Sequence, residues 1–321
     1  MESNSIIFGP VPSRRLGYSL GINNVFPKTC SYNCIYCQLG KTIHVSAERR
    51  RFYDPLLVYQ LAKERLGEIN SLGLKVDYVT FVPDGEPTLD VNIGKEIRLL
   101  KGIGARVAVI TNSSLLYLGD VREDLLEADL VSIKVDAVSE KLWRAINRPS
   151  GRINIEKTLE GIKEFSREYK GRLISETMLL SNYVSNEEIA AVALFLSKLK
   201  ALKTAYIAVP VRPPAESWVK PPKETDLVEA YNIFKQFLGE RVELLIGSPQ
   251  GIFGYSGSFQ RDLLSITSVH PMKEKDVMDL LERDNGSVED LNKLLASGDV
   301  IKVEYNGEVF YVRRFTEKQG N

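Results

Sequence analysis

Five times in succession, a short run rich in β-branched and aromatic residues gives way to a longer stretch of helical periodicity. Residues 75–82 (KVDYVTFV) lead through a Gly/Pro loop into 92–101, and residues 106–111 (RVAVIT) lead into 120–127. Residues 129–135 (DLVSIKV) precede two helical patterns, 140–146 and 156–169. Residues 172–178 precede 186–199, and 204–209 precede 224–238. Strands joined by helices of this length run parallel, because each helix carries the chain back to the same end of the sheet. With one further strand near 18–25, the expected fold is α/β: a partial (β/α) barrel over residues 1–267. Folds of this kind carry their chemistry at the C-terminal ends of the strands.

The first long helix has a start signal. Asp54 can cap exposed amides, Pro55 sits where its missing N–H costs nothing, and Leu57, Leu61, Leu66 and Ile69 are expected to form its buried stripe. The pattern changes over residues 268–321. Residues 273–283 and 288–295 read as short helices, with Ser287 as a cap. Strands at 300–305 and 309–314 meet around Asn306-Gly307, a strong hairpin signal. Two helices and a hairpin resemble a small winged-helix domain. Residues 271–321 carry eight Lys or Arg against eleven acidic residues, so strong DNA binding is not expected. The whole chain is balanced, at 42 basic and 42 acidic residues, which also disfavours a generic nucleic-acid coat. No apolar run approaches the ~18 residues of a membrane span. The start, Met1-Glu2-Ser3-Asn4-Ser5, lacks the basic and apolar regions of a signal peptide, so a cytoplasmic location is expected.

All three cysteines fall within eight positions, in Cys30-Ser31-Tyr32-Asn33-Cys34-Ile35-Tyr36-Cys37. A disulfide framework needs an even, dispersed set, whereas thiolates spaced C-x₃-C-x₂-C on one loop suit a metal cluster. They can hold three corners of an iron–sulfur cube. Electron-transfer clusters ordinarily use four cysteines, and this chain has no fourth, so one iron is left for another ligand. An open iron beside S-adenosylmethionine (SAM) is the arrangement that generates an adenosyl radical.

This spacing, with aromatic Tyr36 before the last cysteine, resembles the radical SAM superfamily signature. Asp84-Gly85-Glu86-Pro87-Thr88, after the strand at 75–82, is similar to the superfamily's Gly-Glu-Pro motif, with Asp84 in place of a glycine. Val11-Pro12-Ser13-Arg14-Arg15-Leu16-Gly17-Tyr18-Ser19-Leu20-Gly21-Ile22-Asn23 and Cys34-Ile35-Tyr36-Cys37-Gln38-Leu39-Gly40 resemble a narrower group near the wyosine-base (tRNA-modifying) enzymes. So do Lys134-Val135-Asp136-Ala137, Arg148-Pro149, Arg212-Pro213-Pro214 and Val269-His270-Pro271-Met272. Wyosine synthases carry three further cysteines that this chain lacks, so their reaction does not transfer. The resemblance implies a [4Fe–4S] cluster on Cys30, Cys34 and Cys37, with SAM as the second cofactor. It also implies that Gly85, Glu86 and Pro87 shape the pocket for the SAM methionine, the glycine letting backbone approach the ligand.

Strand parity adds candidates of its own. In 129–136, Val131, Ile133 and Val135 share one face and Ser132, Lys134 and Asp136 the other, so the polar face should point into the barrel. Glu176 is expected to face inward on the next strand, and Asn112 to occupy the rim of the preceding one. Asn112, Lys134 and Asp136 are assigned to the SAM ribose or carboxylate. Glu176 and Arg212 are assigned to SAM or substrate, with Lys134 and Glu176 as the catalytic candidates. A rim lysine could also form a Schiff base with a carbonyl. For each of these five, an ion pair or a strand-end hydrogen bond is the competing role. His44 could reach the cluster from its loop, and His270 is expected to pack at the domain junction. Arg14 and Arg15 could hold a substrate phosphate. The run Glu48-Arg49-Arg50-Arg51 could be a solvated face, or could dock an acidic electron donor such as a ferredoxin or flavodoxin. The expected reaction is hydrogen abstraction from an RNA base or a polypeptide. The alternative is a non-catalytic iron–sulfur sensor with a nucleic-acid-binding tail.

Overall fold

The structure is a computed structural model that describes residues 6–183, 185–247 and 251–314. It opens with an antiparallel hairpin, β1 (Ile7–Ser13) and β2 (Gly17–Ile22), followed by a two-stranded ribbon of β3 (Thr29–Cys30) and β4 (His44–Val45). The alternating region follows as α1 (Pro55–Ser71), β5 (Tyr78–Phe81), α2 (Ile93–Gly102), β6 (Val107–Ile110), α3 (Gly119–Leu126) and β7 (Leu130–Lys134). It continues with α4 (Glu140–Asn147), α5 (Ile155–Glu168), β8 (Arg172–Met178), α6 (Asn186–Ser197), β9 (Leu202–Ala208), α7 (Glu224–Leu238) and β10 (Val242–Leu245). One eight-stranded sheet runs β1-β2-β5-β6-β7-β8-β9-β10. Every pairing from β2 to β10 is parallel. This is the expected α/β sheet, with two strands that periodicity did not reveal. β1 contains Gly9, Pro10 and Pro12, which interrupt a strand pattern and are tolerated because β1 lies at the sheet edge. β10 is four residues long, with Glu243 exposed in its middle.

The two faces of the sheet separate as parity requires. Val131, Ile133 and Val135 lie in the outer core with Ile162, Phe165 and Val192 of the helices. Leu130 packs inside with Tyr78, Ala108, Ile174 and Tyr206, which fill the N-terminal end of the barrel. That plug leaves the opposite end for ligands. Asp54 caps α1 by accepting from the Leu56 amide at 2.8 Å. The buried stripe of α1 is Val58, Ala62 and Ile69, whereas Leu57 is exposed and Leu61 and Leu66 are only partly covered. The expected stripe was therefore displaced to its neighbour: the face toward the sheet follows Val58, four residues before Ala62.

After α8 (Phe259–Thr267) come β11 (Met272–Lys273), α9 (Glu274–Arg283), α10 (Val288–Ala296), β12 (Val300–Tyr305) and β13 (Glu308–Arg313), with a three-stranded sheet in the order β11-β13-β12. Ser287 and Asp290 form a reciprocal capping box on α10. Asn306 and Gly307 both adopt positive φ, 50° and 75°, as the two-residue turn between β12 and β13 demands. The apolar residues of this tail share one core with Phe259, Leu263 and Ile266 of α8 and with Phe8 and Val11 of β1. Among the described residues, no helix is long and apolar enough to cross a membrane.

Candidate functional site

The three cysteines lie on the loop that starts at β3, and that loop is fastened on one side to the loop after β5 and on the other to the end of α4. Thr29 forms a parallel bridge with Gly85, and the Glu86 amide donates to the Thr29 carbonyl at 3.1 Å. A Cβ on Gly85 would stand 1.9 Å from that carbonyl oxygen. The close approach to the cysteine loop itself thus requires glycine here. On the other side, the Asn33 and Ile35 amides donate to the carbonyls of Asn147 and Ile146 at the end of α4, at 3.0 and 2.9 Å. Ser31 Oγ lies 2.6 Å from Ser114 Oγ.

Glu86 is buried, and its carboxylate is satisfied within the protein. It accepts from Thr88 N at 3.1 Å, Thr88 Oγ1 at 2.6 Å, Thr111 Oγ1 at 2.6 Å and Asn112 N at 2.7 Å. Burial raises its pKa, and these donors oppose the rise. Glu86 therefore clamps the 84–88 loop to the rim of β6. Pro87 opens a single 3₁₀ turn, and its carbonyl accepts from Asn24 Nδ2 at 3.2 Å. Asp84 is buried and pairs with Lys28 Nζ at 3.1 Å. Lys28 also donates to the Leu39 carbonyl, so this pair joins the motif loop to the far end of the cysteine loop.

Two asparagines reach the thiols. Asn112 Nδ2 lies 3.5 Å from Cys30 Sγ and 2.8 Å from Ser31 Oγ. Asn147 Nδ2 lies 3.4 Å from Cys34 Sγ, 3.1 Å from the Tyr36 hydroxyl and 2.7 Å from Asp136 Oδ2. Asp136 is buried. It also accepts from the Tyr36 hydroxyl and, at 2.8 Å, from the Met178 amide, so protein donors occupy both its oxygens. Asn147 was not among the sequence candidates. Its signal was a polar residue on the buried side of α4, beside Trp143 and Ile146 and just before Arg148-Pro149.

Lys134 and Glu176 face each other inside the barrel at 2.6 Å, and Arg15 Nη1 holds the other Glu176 oxygen at 2.6 Å. Lys134 Nζ is also 3.8 Å from Asp136 Oδ1 and 5.1 Å from the centre of the Tyr36 ring. Burial alone would raise the Glu176 pKa, but Lys134 and Arg15 bring it down to about 2. These residues line a cavity of about 340 Å³ at the C-terminal ends of the strands, within the range of small-ligand sites. Cys37 and Tyr36 contribute from the cysteine loop, Arg14 and Arg15 from the β1–β2 turn, Arg212 from the segment after β9, and His270 from the linker to the tail. Arg212 donates to Gln38 Oε1 at 2.8 Å and meets His270 Nε2 at 2.9 Å. His44, in contrast, is exposed on β4 and does not line the cavity. Arg49 is folded inward onto Asp120 and Asp124, leaving Glu48, Arg50 and Arg51 as the exposed part of that run.

The C-x₃-C-x₂-C thiols are spread along one loop. A cubane presents separate irons to cysteines spread along a loop. Burial pushes all three thiols up, Cys34 to about 12.

The comparisons agree with this geometry. Residues 24–196 match the radical SAM superfamily. A UPF0026 protein of Methanocaldococcus jannaschii, MJ1312, is 46% identical over 319 residues, covering 99% of this chain and 98% of the relative. A radical SAM methyltransferase from Sphaerobacter thermophilus shares the fold at a TM-score of 0.53 and 14% identity, over 70% of this chain and 66% of that one. TYW1, solved with a lysine-pyruvate adduct bound, aligns at a TM-score of 0.49 and 17% identity over 68% and 73% of the two chains. A match spanning more than half the chain and a full-length relative lead to one assignment: the chain belongs to the radical SAM superfamily and, within it, to the UPF0026 proteins.

Proposed function

We propose that Cys30, Cys34 and Cys37 hold one [4Fe–4S] cluster and that the cavity beside Cys37 receives SAM and a substrate. When bound, the cluster and SAM together supply a 5′-deoxyadenosyl radical by one-electron reductive cleavage, with methionine as the other product. The observation that carries this reading is the placement of the chain's only three cysteines on a clamped loop whose last member opens onto the cavity.

The chain's own residues supply position, charge and shelter. Asn112 and Asn147 aim N–H groups at the sulfurs of Cys30 and Cys34, and Glu86 fixes Asn112 by its backbone. Lys134, Glu176 and Arg15 form a charge ladder across the cavity floor. Phe8, Val82, Ile110, Met178 and Leu245 supply apolar wall, which keeps water from a reactive intermediate. The reducing electron comes from outside, and a ferredoxin or flavodoxin is the class of donor that fits this role. An RNA base and a polypeptide side chain are the two hydrogen donors that the sequence brings forward, and the charge of the cavity wall bears on that choice.

The test is anaerobic: reconstitute the cluster, add SAM and dithionite, and quantify 5′-deoxyadenosine by mass spectrometry, with Cys34→Ala as control. Product that disappears in the control supports the reading. A protein that takes up no iron–sulfur cluster would overturn it.

A further inference from the structure

We infer that the substrate held in this cavity is a small molecule bearing a phosphate monoester or diphosphate, gripped by Arg14 and Arg212. The inference rests on the cavity being the radical site and adds the chemical class of the molecule it takes. Four cationic side chains, Arg14, Arg15, Lys134 and Arg212, line the cavity against one carboxylate, Glu176. Arg15 and Lys134 are both spent on that carboxylate. Arg14 donates to the carbonyl of Ile246 and Arg212 to Gln38, with His270 against its other edge. Among the described residues, neither arginine has an acidic side chain within 4.0 Å.

Arg212 is half-buried and Arg14 stands exposed at the cavity's mouth; like charges gathered there repel one another, and burial costs Arg212 hydration, both of which a matching anion offsets. The effect is visible on the arginines themselves. Burial and the neighbouring Arg14 lower the Arg212 pKa to about 10, and burial and Arg15 lower that of Arg14. SAM deepens the imbalance, since its sulfonium and ammonium outweigh its single carboxylate. Guanidinium groups recognise phosphate through paired N–H donors, and Gln38 and His270 fix the plane of the Arg212 guanidinium from two sides.

The cavity walls favour a small molecule over a polymer. The turn carrying Arg14 and Arg15 belongs to the hairpin whose first strand shares a core with the tail, and His270 lies on the linker into that tail. The hairpin and the linker to the tail thus bound the cavity together. A polynucleotide would need a basic track leading outward, whereas the chain is neutral overall and residues 271–321 carry more acid than base.

The experiment uses the anaerobically reconstituted protein and inorganic pyrophosphate as probe, followed by isothermal titration calorimetry in 0.15 M salt, roughly physiological ionic strength. One saturable site is expected. Arg14→Gln and Arg212→Gln should each weaken it by about tenfold, the value of one charge-assisted contact. Lys275→Gln, an exposed change outside the cavity, should leave it unaltered. Thermal unfolding checks that each variant is folded.

No saturable binding, or equal weakening by Lys275→Gln, overturns the inference. Displacement of pyrophosphate by citrate at lower concentration would overturn phosphate in favour of a polycarboxylate. Tighter, Arg14-dependent displacement by bulk tRNA would overturn the small molecule in favour of RNA. SAM cleavage is scored in the same preparation. Cleavage without pyrophosphate binding sinks this inference alone, and binding without cleavage sinks the radical reading alone.

Discussion

Replacing Gly85 with alanine tests whether the motif loop and the cysteine loop are one mechanical unit. The added Cβ would lie 1.9 Å from the Thr29 carbonyl oxygen, 2.9 Å from its carbonyl carbon and 2.9 Å from Val25 Cγ2. A valine methyl can rotate away, but the carbonyl oxygen is backbone and must move with its strand. An ordinary contact needs about 3.4 Å or more, so the two segments must part by more than an ångström. That movement breaks the Glu86 N to Thr29 O bond of 3.1 Å, leaving two buried backbone groups unpaired immediately before Cys30. Overpacking of a tight contact costs ~1–3 kcal/mol, and an orphaned buried hydrogen-bonding group costs a similar amount. At about 2.1 cal/mol/K of unfolding entropy per residue, a loss of about 3 kcal/mol corresponds to roughly 4–5 °C in melting temperature for a chain of 321 residues. Because the displaced residue adjoins Cys30, iron content after anaerobic reconstitution should fall together with the melting temperature. Both can be read from one preparation, by differential scanning calorimetry and a colorimetric iron assay. A Gly85→Ala protein that melts within a degree or so of the parent and loads its full iron would refute the reasoning.

Two further outcomes follow from buried carboxylates. Glu176, held at about 2 by Lys134 and Arg15, has a folded-state pKa below its unfolded one. Its stabilisation is present above pH ~4.5 and fades as pH falls through about 2, so Glu176→Gln should lower the melting temperature at pH 7, with the difference shrinking steadily below pH ~4 and closing only below about pH 2. Asp90 runs the other way: burial raises it to about 7, so folding favours its protonated form and stability falls as pH rises from ~4 through 7. Asp90→Asn keeps an oxygen for the Asn92 amide, at 2.9 Å, and should melt above the parent at pH 8 while matching it near pH 4. Identical pH–melting curves for variant and parent would contradict either argument.

Strand parity placed Lys134 and Glu176 inside the barrel because a period of two is a local property of the chain. The alternation of strands and helices likewise foretold a parallel sheet without any long-range information. Partners could not be read the same way. Asp136 shares its face with Lys134, yet its oxygens are taken by Tyr36, 100 residues away in the chain, and by Asn147 and the Met178 amide. Arg15 reaches Glu176 across 161 residues. Gly85 was recognisable as a residue needing close approach, but the approaching group belongs to β3, which is two residues long and too short to leave a pattern. The edge strand β1 escaped notice for a related reason. Its prolines are acceptable only at an edge, and being an edge is a property of the assembled sheet.

The position of the tail acquires a meaning once these contacts are combined. Its core is continuous with β1 through Phe8 and Val11, and the β1–β2 turn carries Arg14 and Arg15 into the cavity. The Tyr305 hydroxyl, at the end of β12, donates to the Pro210 carbonyl at 3.2 Å, two residues before Arg212. His270, at the start of the tail, touches Arg212 itself. The arginines on both sides of the cavity are therefore referenced to one small body of two helices and a hairpin. Arg14 and Arg212 lie beside β1, β2 and β9, strands of the same sheet that carries Lys134 and Glu176 on β7 and β8, so the tail braces the arginines in place relative to them. If the proposed anion is held by these arginines, the tail contributes to its binding by bracing Arg14 through β1 and Arg212 through Pro210 and His270.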